Sequence, residues 1–463
     1  MSDSHPVPPP KSILILGSGV FGLSTAYSLA TNPSFQDTKI TLLDRFPFLA
    51  PDAASIDSSR IVRADYADLA YASLAHEAQV KWRTGEYGEG VYNETGLALV
   101  VAKAGREGET DGSGNGELGR EYMRKSLENV QNLGMRVGTK EDGADITVLE
   151  NRAQIESITT CGGGSGDFGY ANWRSGWADA EKAMARLHRL VEETGRVERK
   201  QGEVRRLLFS SADATDKVEG AELIDGSFLR ADLTVLATGA WTPKFLDLRG
   251  IASATGQILA YTELSQEEQD RLGKNPTLLN ESTGMFIIPP QGRVLKVARH
   301  GYGYANPTTI SNPEKPGETI TVSLPRTKQD DPNLGIAEEG LQACRKALRE
   351  MIPELGDRPF TYTRICWYTD TANGDWIVSY HPRYQGLFVA TGGSGHAFKF
   401  LPVVGDQIVE CILGKTPEAF KNKWSFPQRG AEDQVWTEDW RGGKRGMILD
   451  EELKRGSKIS EKL

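Results

Sequence analysis

The 463-residue chain sets 54 Lys and Arg against 63 Asp and Glu, a formal net charge of −9, which argues against a nucleic-acid partner because that needs a basic face. With 38% hydrophobic and 25% charged residues, and no apolar run near the roughly 20 residues of a membrane span, the composition is that of a soluble globular protein of two or three domains. The four cysteines, Cys161, Cys344, Cys366 and Cys411, lie far apart with no C-x-x-C pair. That usage fits a reducing compartment, excludes a cysteine-rich zinc site, and leaves no metal to be expected.

The opening MSDSHPVPPPK has no apolar core of a signal peptide. An apolar run, Ile13 to Leu16, then predicts a strand, followed by Gly17, Gly19 and Gly22 in the spacing G-x-G-x-x-G. A helical pattern continues through Leu23, Ala26, Tyr27 and Leu29, and a second apolar run, Ile40 to Leu43, ends on Asp44. Each part has a physical task in holding a dinucleotide. Gly17 permits a tight turn, Gly19 lets backbone N–H groups approach a pyrophosphate, and Gly22 lets helix and strand pack closely. The helix N-terminus offers positive partial charge to phosphate, and Asp44 is placed to accept hydrogen bonds from ribose hydroxyls. Val20 and Phe21 within the loop and Arg45 beyond the acid belong to the same expected site.

A turn-rich loop leads to Ser59-Arg60-Ile-Val-Arg63, whose two arginines would share a face if helical and are candidates for binding an anion. A helix is predicted over about Leu69 to Arg83 and a strand over Gly96 to Ala102. Residues 103–120, rich in Gly and charge, read as a mobile surface insertion. Helical residues 121–133 follow, then a polar region to Ala153. Gly162-Gly163-Gly164 lacks both a preceding apolar strand and a P-loop lysine, so it reads as a turn. Tyr170-Ala-Asn-Trp173 and Trp177 precede a helix from Ala178 to Thr194. A hairpin beginning at Val204 closes on the strand Ala231 to Ala237, and Thr238-Gly239-Ala240-Trp241 follows, where doubly wound folds place ligand contacts.

From Gly250 to about Pro353 short runs such as Met285 to Pro289 and Arg293 to Val297 alternate with polar turns, with a helix over Ile336 to Met351. This reads as a mainly antiparallel unit. A last strand, Gly386 to Thr391, enters the turn Gly392-Gly393-Ser394-Gly395-His396, and a helix from about Pro402 to Leu413 follows. The expected organisation is α/β. A discontinuous Rossmann-like nucleotide domain takes residues 1–95, 151–249 and 355–425, and an α+β substrate domain with a mainly antiparallel sheet takes 96–150 and 250–354. The polar tail, 426–463, reads as a wrapping or loosely held segment. Its last residues, Glu461-Lys462-Leu463, match a peroxisomal S-K-L address in two positions, so a peroxisomal or cytoplasmic location is expected.

Six segments together resemble the flavin-dependent amine oxidases of the monomeric sarcosine oxidase family, with their fungal L-saccharopine/L-pipecolate oxidase and fructosyl amino acid oxidase branches. They are the glycine fingerprint with Asp44, Ser59-Arg60-Ile-Val-Arg63, Thr238-Gly-Ala-Trp241, Leu295-Lys296-Val-Ala-Arg-His300, Arg364-Ile-Cys366-Trp-Tyr368 and Gly393-Ser-Gly-His-Ala-Phe-Lys399. The resemblance implies a sarcosine oxidase/D-amino acid oxidase-like fold and an FAD joined to Cys366 by a thioether at the flavin 8-methyl carbon. Taken alone, Cys366 would read as a small buried hydrophobe, as Cys161, Cys344 and Cys411 still do.

By the same resemblance Lys296 points at flavin N5 through a water and favours electron transfer to oxygen. His300, on the same face if the strand continues, would favour the neutral substrate amine, with simple packing as its alternative. Arg63 and Lys399 would hold the substrate carboxylate, Arg60 would pack beside the flavin ring, and Tyr368 would line the substrate pocket. Gly392 to Phe398 would offer backbone donors to the flavin's pyrimidine edge, although Ala397 stands where many relatives carry glycine. Ser59, Val204, Gly239, Trp241, Gly393, Gly395 and His396 complete the expected cofactor contacts.

The implied reaction oxidises a secondary amine on an amino acid such as saccharopine, pipecolate or sarcosine. Hydride passes to N5, the imine hydrolyses, and O2 is reduced to H2O2. Fructosyl amino acid oxidases tend to carry an acid at the position of His300, so deglycation ranks second. A nicotinamide-dependent dehydrogenase would explain the glycines but not Cys366. A silent flavin-binding protein would have lost Lys296, Arg63 and Lys399. The expected partners are a small amino acid amine and O2, acting on a monomer.

Overall fold

The strand Ser12–Leu16, apolar and buried from Ile13 onward, is central to a six-stranded sheet in a computed structural model that describes residues 8–104, 116–210 and 216–460. The strands run in the order Ile377–Tyr380, Leu387–Thr391, Leu233–Leu236, Ser12–Leu16, Lys39–Asp44 and Val197–Gln201. All neighbours are parallel except the edge pair Ile377–Tyr380 with Leu387–Thr391. Continuous apolar strands such as Leu387–Thr391, buried throughout, belong in a sheet covered on both faces. One face is covered by the helices Val20–Thr31 and Leu401–Ile412, whose backbones meet closely at Gly405.

That contact gives a direct test. A Cβ on Gly405 would fall 2.2 Å from the carbonyl oxygen of Ser24, and neither backbone can retreat without moving its helix. Gly405→Ala is expected to destabilise the protein by about 1–3 kcal/mol through overpacking, read as a lower midpoint of thermal unfolding.

An eight-stranded sheet runs in the order Tyr362–Thr371, Ala252–Glu263, Val294–Arg299, Met285–Gln291, Thr277–Asn280, Leu97–Val101, Phe168–Asn172 and Ile146–Leu149. Its pairs are antiparallel except Thr277–Asn280 with Leu97–Val101. Phe168–Asn172 and Tyr362–Thr371 lie in chain segments read from sequence as nucleotide-binding, yet they pair into this sheet. Hydrogen-bond partners distant in sequence leave no mark on local pattern. The hairpin Val204–Phe209 with Val218–Leu223, extended by Phe228–Arg230, forms a small separate sheet.

Three local readings are sharpened by the structure. Arg60–Val62 is a strand paired with Gly176–Ala178, so the condition under which its arginines would share a helical face is not met; two β-branched residues follow Arg60 and a partner edge is available. The helix expected from residue 121 begins at Gly116 and runs to Asn132, where Gly119 packs on the backbone of Glu281; residues 105–115 of the expected insertion lie outside the described residues. The C-terminal segment is not loosely held. Trp424, Trp440, Arg441 and Leu449 are at most 2% exposed, and Leu449–Ser460 is helical. Its polar average masks a few anchoring residues. The final Glu-Lys-Leu lies outside the described residues, none of whose helices is long and apolar enough to cross a membrane.

Candidate active site

The carboxyl ends of the parallel strands open into a cavity that continues to the large sheet, the position where open α/β sheets bind ligands. The glycines of the first turn divide the work. Gly17 has φ +98°, and a Cβ there would lie 2.5 Å from the carbonyl oxygen of Ala237. Gly22 does not line the cavity; its Cβ would lie 1.8 Å from the carbonyl oxygen of Gly17, so it serves helix–strand contact alone. A Cβ on Gly19 would meet nothing within 4 Å, and Gly19 lines the cavity at the start of the helix Val20–Thr31.

Val20, Phe21, Asp44 and Arg45 also line this end. Asp44 Oδ2 accepts from the backbone N and Oγ of Ser18, both at 2.7 Å, which tightens the turn on the acid. Arg45 pairs with Asp52 and lies 4.4 Å from the ring centre of Trp241. Val204, Gly239 and Trp241 line the same stretch, and Gly239, at φ +53°, leaves open space where a Cβ would stand.

Farther in, Cys366 lines the cavity from the strand Tyr362–Thr371, with its Sγ 3.6 Å from Arg60 Nη2. Arg60 is otherwise held by Asp57 and, at 2.6 Å, by the carbonyl of Ala54. Lys296 is 1% exposed, and its Nζ donates to Asp57 Oδ2 at 3.1 Å and to the carbonyl of Ser59. Ser59 therefore acts through its backbone and does not line the cavity.

The inner end holds the other cations. Arg63 donates from Nη2 to the Tyr122 hydroxyl at 3.0 Å, while its buried Nη1 has no hydrogen-bond partner among the described residues. Lys399 Nζ donates to Tyr66 Oη at 2.8 Å and to the carbonyl of His396 at 2.9 Å. Tyr66 Oη in turn lies 3.0 Å from His396 Nδ1, and His396 Nε2 lies 2.9 Å from the carbonyl of Gly374. Gly393 and Gly395 line the wall, and a Cβ on Gly395 would strike the Tyr368 ring at 2.3 Å. His300 sits just beyond the strand Val294–Arg299 and still lines the cavity, with its ring centre 5.9 Å from Tyr368 and 5.0 Å from Trp440.

Burial and then Arg441, Arg63, His396 and Lys399 hold His300 well below its ordinary pKa, so the ring is neutral at physiological pH. Its Nδ1 lies 3.2 Å from Arg441 Nη1. Arginine only donates, so the ring proton is on Nε2. Burial, followed by Arg63, likewise holds Lys399 well below its ordinary 10.5.

A bound carboxylate would favour the protonated form of Lys399, so affinity for a simple carboxylate such as propionate is expected to fall as pH rises through the depressed pKa. Calorimetric titration in buffers of differing ionisation enthalpy would show proton uptake on binding. Lys399→Met is expected to flatten the profile and abolish the uptake.

Sequence reading missed several members of the site. Asp57, Tyr66 and Tyr261 carry no motif of their own. Trp440 lines the cavity from the C-terminal segment, and Arg441 reaches His300, the carbonyl of Ser394 at 3.0 Å and Asp370 at 3.5 Å. The available signal was three tryptophans, Trp424, Trp436 and Trp440, in a stretch otherwise polar. Glu281, 1% exposed with neither carboxylate oxygen hydrogen-bonded among the described residues, has its pKa pushed well above the usual range by burial.

A dinucleotide-binding sheet joined to a large antiparallel sheet across one cavity defines a flavoenzyme-like architecture. Residues 12–411 match the family model described as FAD dependent oxidoreductase. The amino acid oxidase imqH of Aspergillus flavus is 32% identical over 488 residues, covering 91% of this chain and 98% of the relative. The L-saccharopine oxidase of Schizosaccharomyces pombe is 28% identical, covering 93% and 96%. Among solved structures, a modified fructosyl peptide oxidase from Aspergillus nidulans superposes with a TM-score of 0.81 at 24% identity, covering 96% of this chain and 99% of that one. The chain therefore belongs to the FAD-dependent oxidoreductase family. The residues present fit FAD: open space at Gly19 and Gly239 beside Asp44 accommodates the dinucleotide end, and Cys366, Arg60 and Lys296 surround the inner cavity where a flavin ring would lie.

Proposed function

We propose that this protein is an FAD-dependent oxidase of amino acids bearing a secondary amine, with the flavin attached through Cys366 and O2 as electron acceptor. The observation that carries this reading is the convergence, in one cavity, of Cys366 and Lys296 with Arg63 and Lys399. Arg63 keeps a buried donor without a partner, and Lys399 bonds only neutral oxygens among the described residues. Such a pair suits a carboxylate, which an arginine fork and an ammonium can grip together.

With the carboxylate held there, the neighbouring amine would lie close to Arg63 and Lys399, with Arg441 behind His300, and these charges disfavour an ammonium and favour the neutral amine. His300, itself neutral, adds no competing charge and presents Nε2–H. Trp440 and Tyr368 line the wall with aromatic rings. FAD, held between the glycine turn and Cys366, would supply a hydride acceptor that O2 can reoxidise. Lys296 holds positive charge at the cavity wall, where negative charge on oxygen develops. The imine product leaves and hydrolyses, and the enzyme acts as a monomer.

Histidine rather than an acid at position 300 supports saccharopine-, pipecolate- or sarcosine-like substrates over fructosyl amino acids. A peroxisomal or cytoplasmic setting fits a peroxide-forming oxidase, and a relative named peroxisomal sarcosine oxidase from Homo sapiens is 23% identical over 423 residues. A peroxide assay across N-methyl, cyclic, saccharopine-like, fructosyl and primary amino acids tests the reading. Turnover of one of the first three sets is expected. Peroxide from primary or fructosyl amino acids alone overturns the substrate class.

A further inference from the structure

We propose that Asp57 is a positioning residue for Lys296, whose carboxylate keeps the buried ammonium charged and fixed at the cavity wall. The inference rests on the reading above that Lys296 faces the flavin. Its observations concern the chain's own residues. Asp57 and Lys296 side chains are 2% and 1% exposed, and Asp57 does not line the cavity whereas Lys296 and Arg60 do. The acid thus stands behind both cations.

Its donors leave it little freedom. Oδ2 accepts from Lys296 Nζ at 3.1 Å and from Arg60. Oδ1 accepts from Tyr261 Oη at 2.8 Å and from the backbone N of Ser58 at 2.7 Å. The loop before it is clamped by Arg364 Nη1 on the carbonyl of Ile56 at 2.9 Å and Nη2 on that of Ala53 at 3.3 Å. Two of the three ammonium donors of Lys296 are engaged, by Asp57 and Ser59, which leaves one for the cavity.

Charge balance shows what the pair does. The groups acting on Lys296 are Asp57 and Arg60, from the loop and the strand after it, and Cys366 from Tyr362–Thr371; Asp57 in turn also faces Tyr261 from Ala252–Glu263 and Arg364 from Tyr362–Thr371. Burial lowers Lys296 to about 8, with Asp57 opposing the fall and Arg60 deepening it. Burial pushes Asp57 up, yet Arg60, Lys296 and Arg364 outweigh it and hold the acid ionised far below the usual range. Asp57 is thus one carboxylate facing three cations, Arg60, Lys296 and Arg364. Without it the lysine would sit beside the Arg60 guanidinium with no carboxylate hydrogen-bonded to it among the described residues.

The test uses the flavin-loaded full-length protein as wild type, Asp57→Asn, Lys296→Met and the double variant, with Asp57→Ser as a second neutral replacement should the first not fold. Two quantities are measured across pH: the rate of O2 reoxidation after reduction, and the midpoint potential of the bound flavin. In the wild type, reoxidation is expected to slow as pH rises through the Lys296 titration. In Asp57→Asn that step should move down by about 1–3 pH units, the usual effect of losing a close opposite charge. Asp57→Asn added to Lys296→Met should slow reoxidation no further.

The potential separates this role from a simple loss of negative charge. Removing only a carboxylate raises the potential at every pH, whereas removing the lysine's charge as well cancels that rise above the shifted step. A uniform rise with an unmoved reoxidation profile overturns the inference. If Lys296→Met reoxidises as fast as wild type, the oxygen role of Lys296 fails instead. The pH at which the potential changes slope still reports whether Asp57 governs the lysine's charge.

Discussion

Acid-precipitated, washed wild-type protein is expected to remain yellow, and Cys366→Ala protein to wash colourless. All four cysteines are reduced, and of these only Cys366 lines the cavity. Cys344 and Cys411 are buried elsewhere, and burial pushes their thiols up to about 12 and about 11. Cys161 Sγ lies 3.3 Å from the carbonyl of Met351, outside the cavity. Attachment at any other thiol would require the chain to rearrange. The substitution itself is mild: Cys366 packs with Leu259, Tyr261 and Ala298, and losing one sulfur there costs about 1 kcal/mol. A near-normal melting curve together with total loss of covalent flavin is therefore the expected pair of results. Yellow colour persisting in the washed Cys366→Ala pellet would refute the attachment site.

The second large effect is expected at Arg441→Met. Arg441 and Asp370 are each 1% exposed, with Nη2 3.5 Å from Oδ1. The other carboxylate oxygen, Oδ2, accepts from Thr255 at 2.5 Å. Removing one member of a buried ion pair typically costs about 3–5 kcal/mol, because it leaves the other charge uncompensated. Burial already raises the pKa of Asp370, with Arg441 opposing. In the variant the acid is expected to be protonated near neutral pH, so part of the lost stability should return as pH falls. The same change frees His300 Nδ1 from its donor, removing what fixes the proton on Nε2. Thermal unfolding measured against pH reads the first effect, and the substrate KM, which should rise more than kcat falls, reads the second. A variant with wild-type stability and kinetics would show that the C-terminal segment is merely packed against the site.

Arg63 illustrates why some of the site was legible and some was not. The run Ser59-Arg60-Ile-Val-Arg63 stood out as two cations directly after a nucleotide-binding unit, but their conformation did not, because two residues between arginines suit a helix or a strand equally. Pairing with Gly176–Ala178, more than a hundred residues away, made the strand. Lys296 had the opposite history. The family resemblance marked it, while the acid that holds it, Asp57, lies 239 residues earlier in an unremarkable loop. The tail was left as either wrapping or loosely held because its average polarity hides the few large side chains that anchor it.

What the sequence determined by itself is the local chemistry of the nucleotide turn. The positive φ at Gly17 and the contact of Gly22 with the carbonyl of Gly17 depend on neighbours a few residues apart, so the pattern in the chain specifies them. Only the tertiary structure decided which charges face one another. Arg63 with Lys399, Lys296 with Asp57, and Arg441 with His300 and Asp370 each join segments far apart along the chain. Such pairs are selected by the free energy of burying charge once the two sheets have met, and no spacing along the chain encodes that meeting.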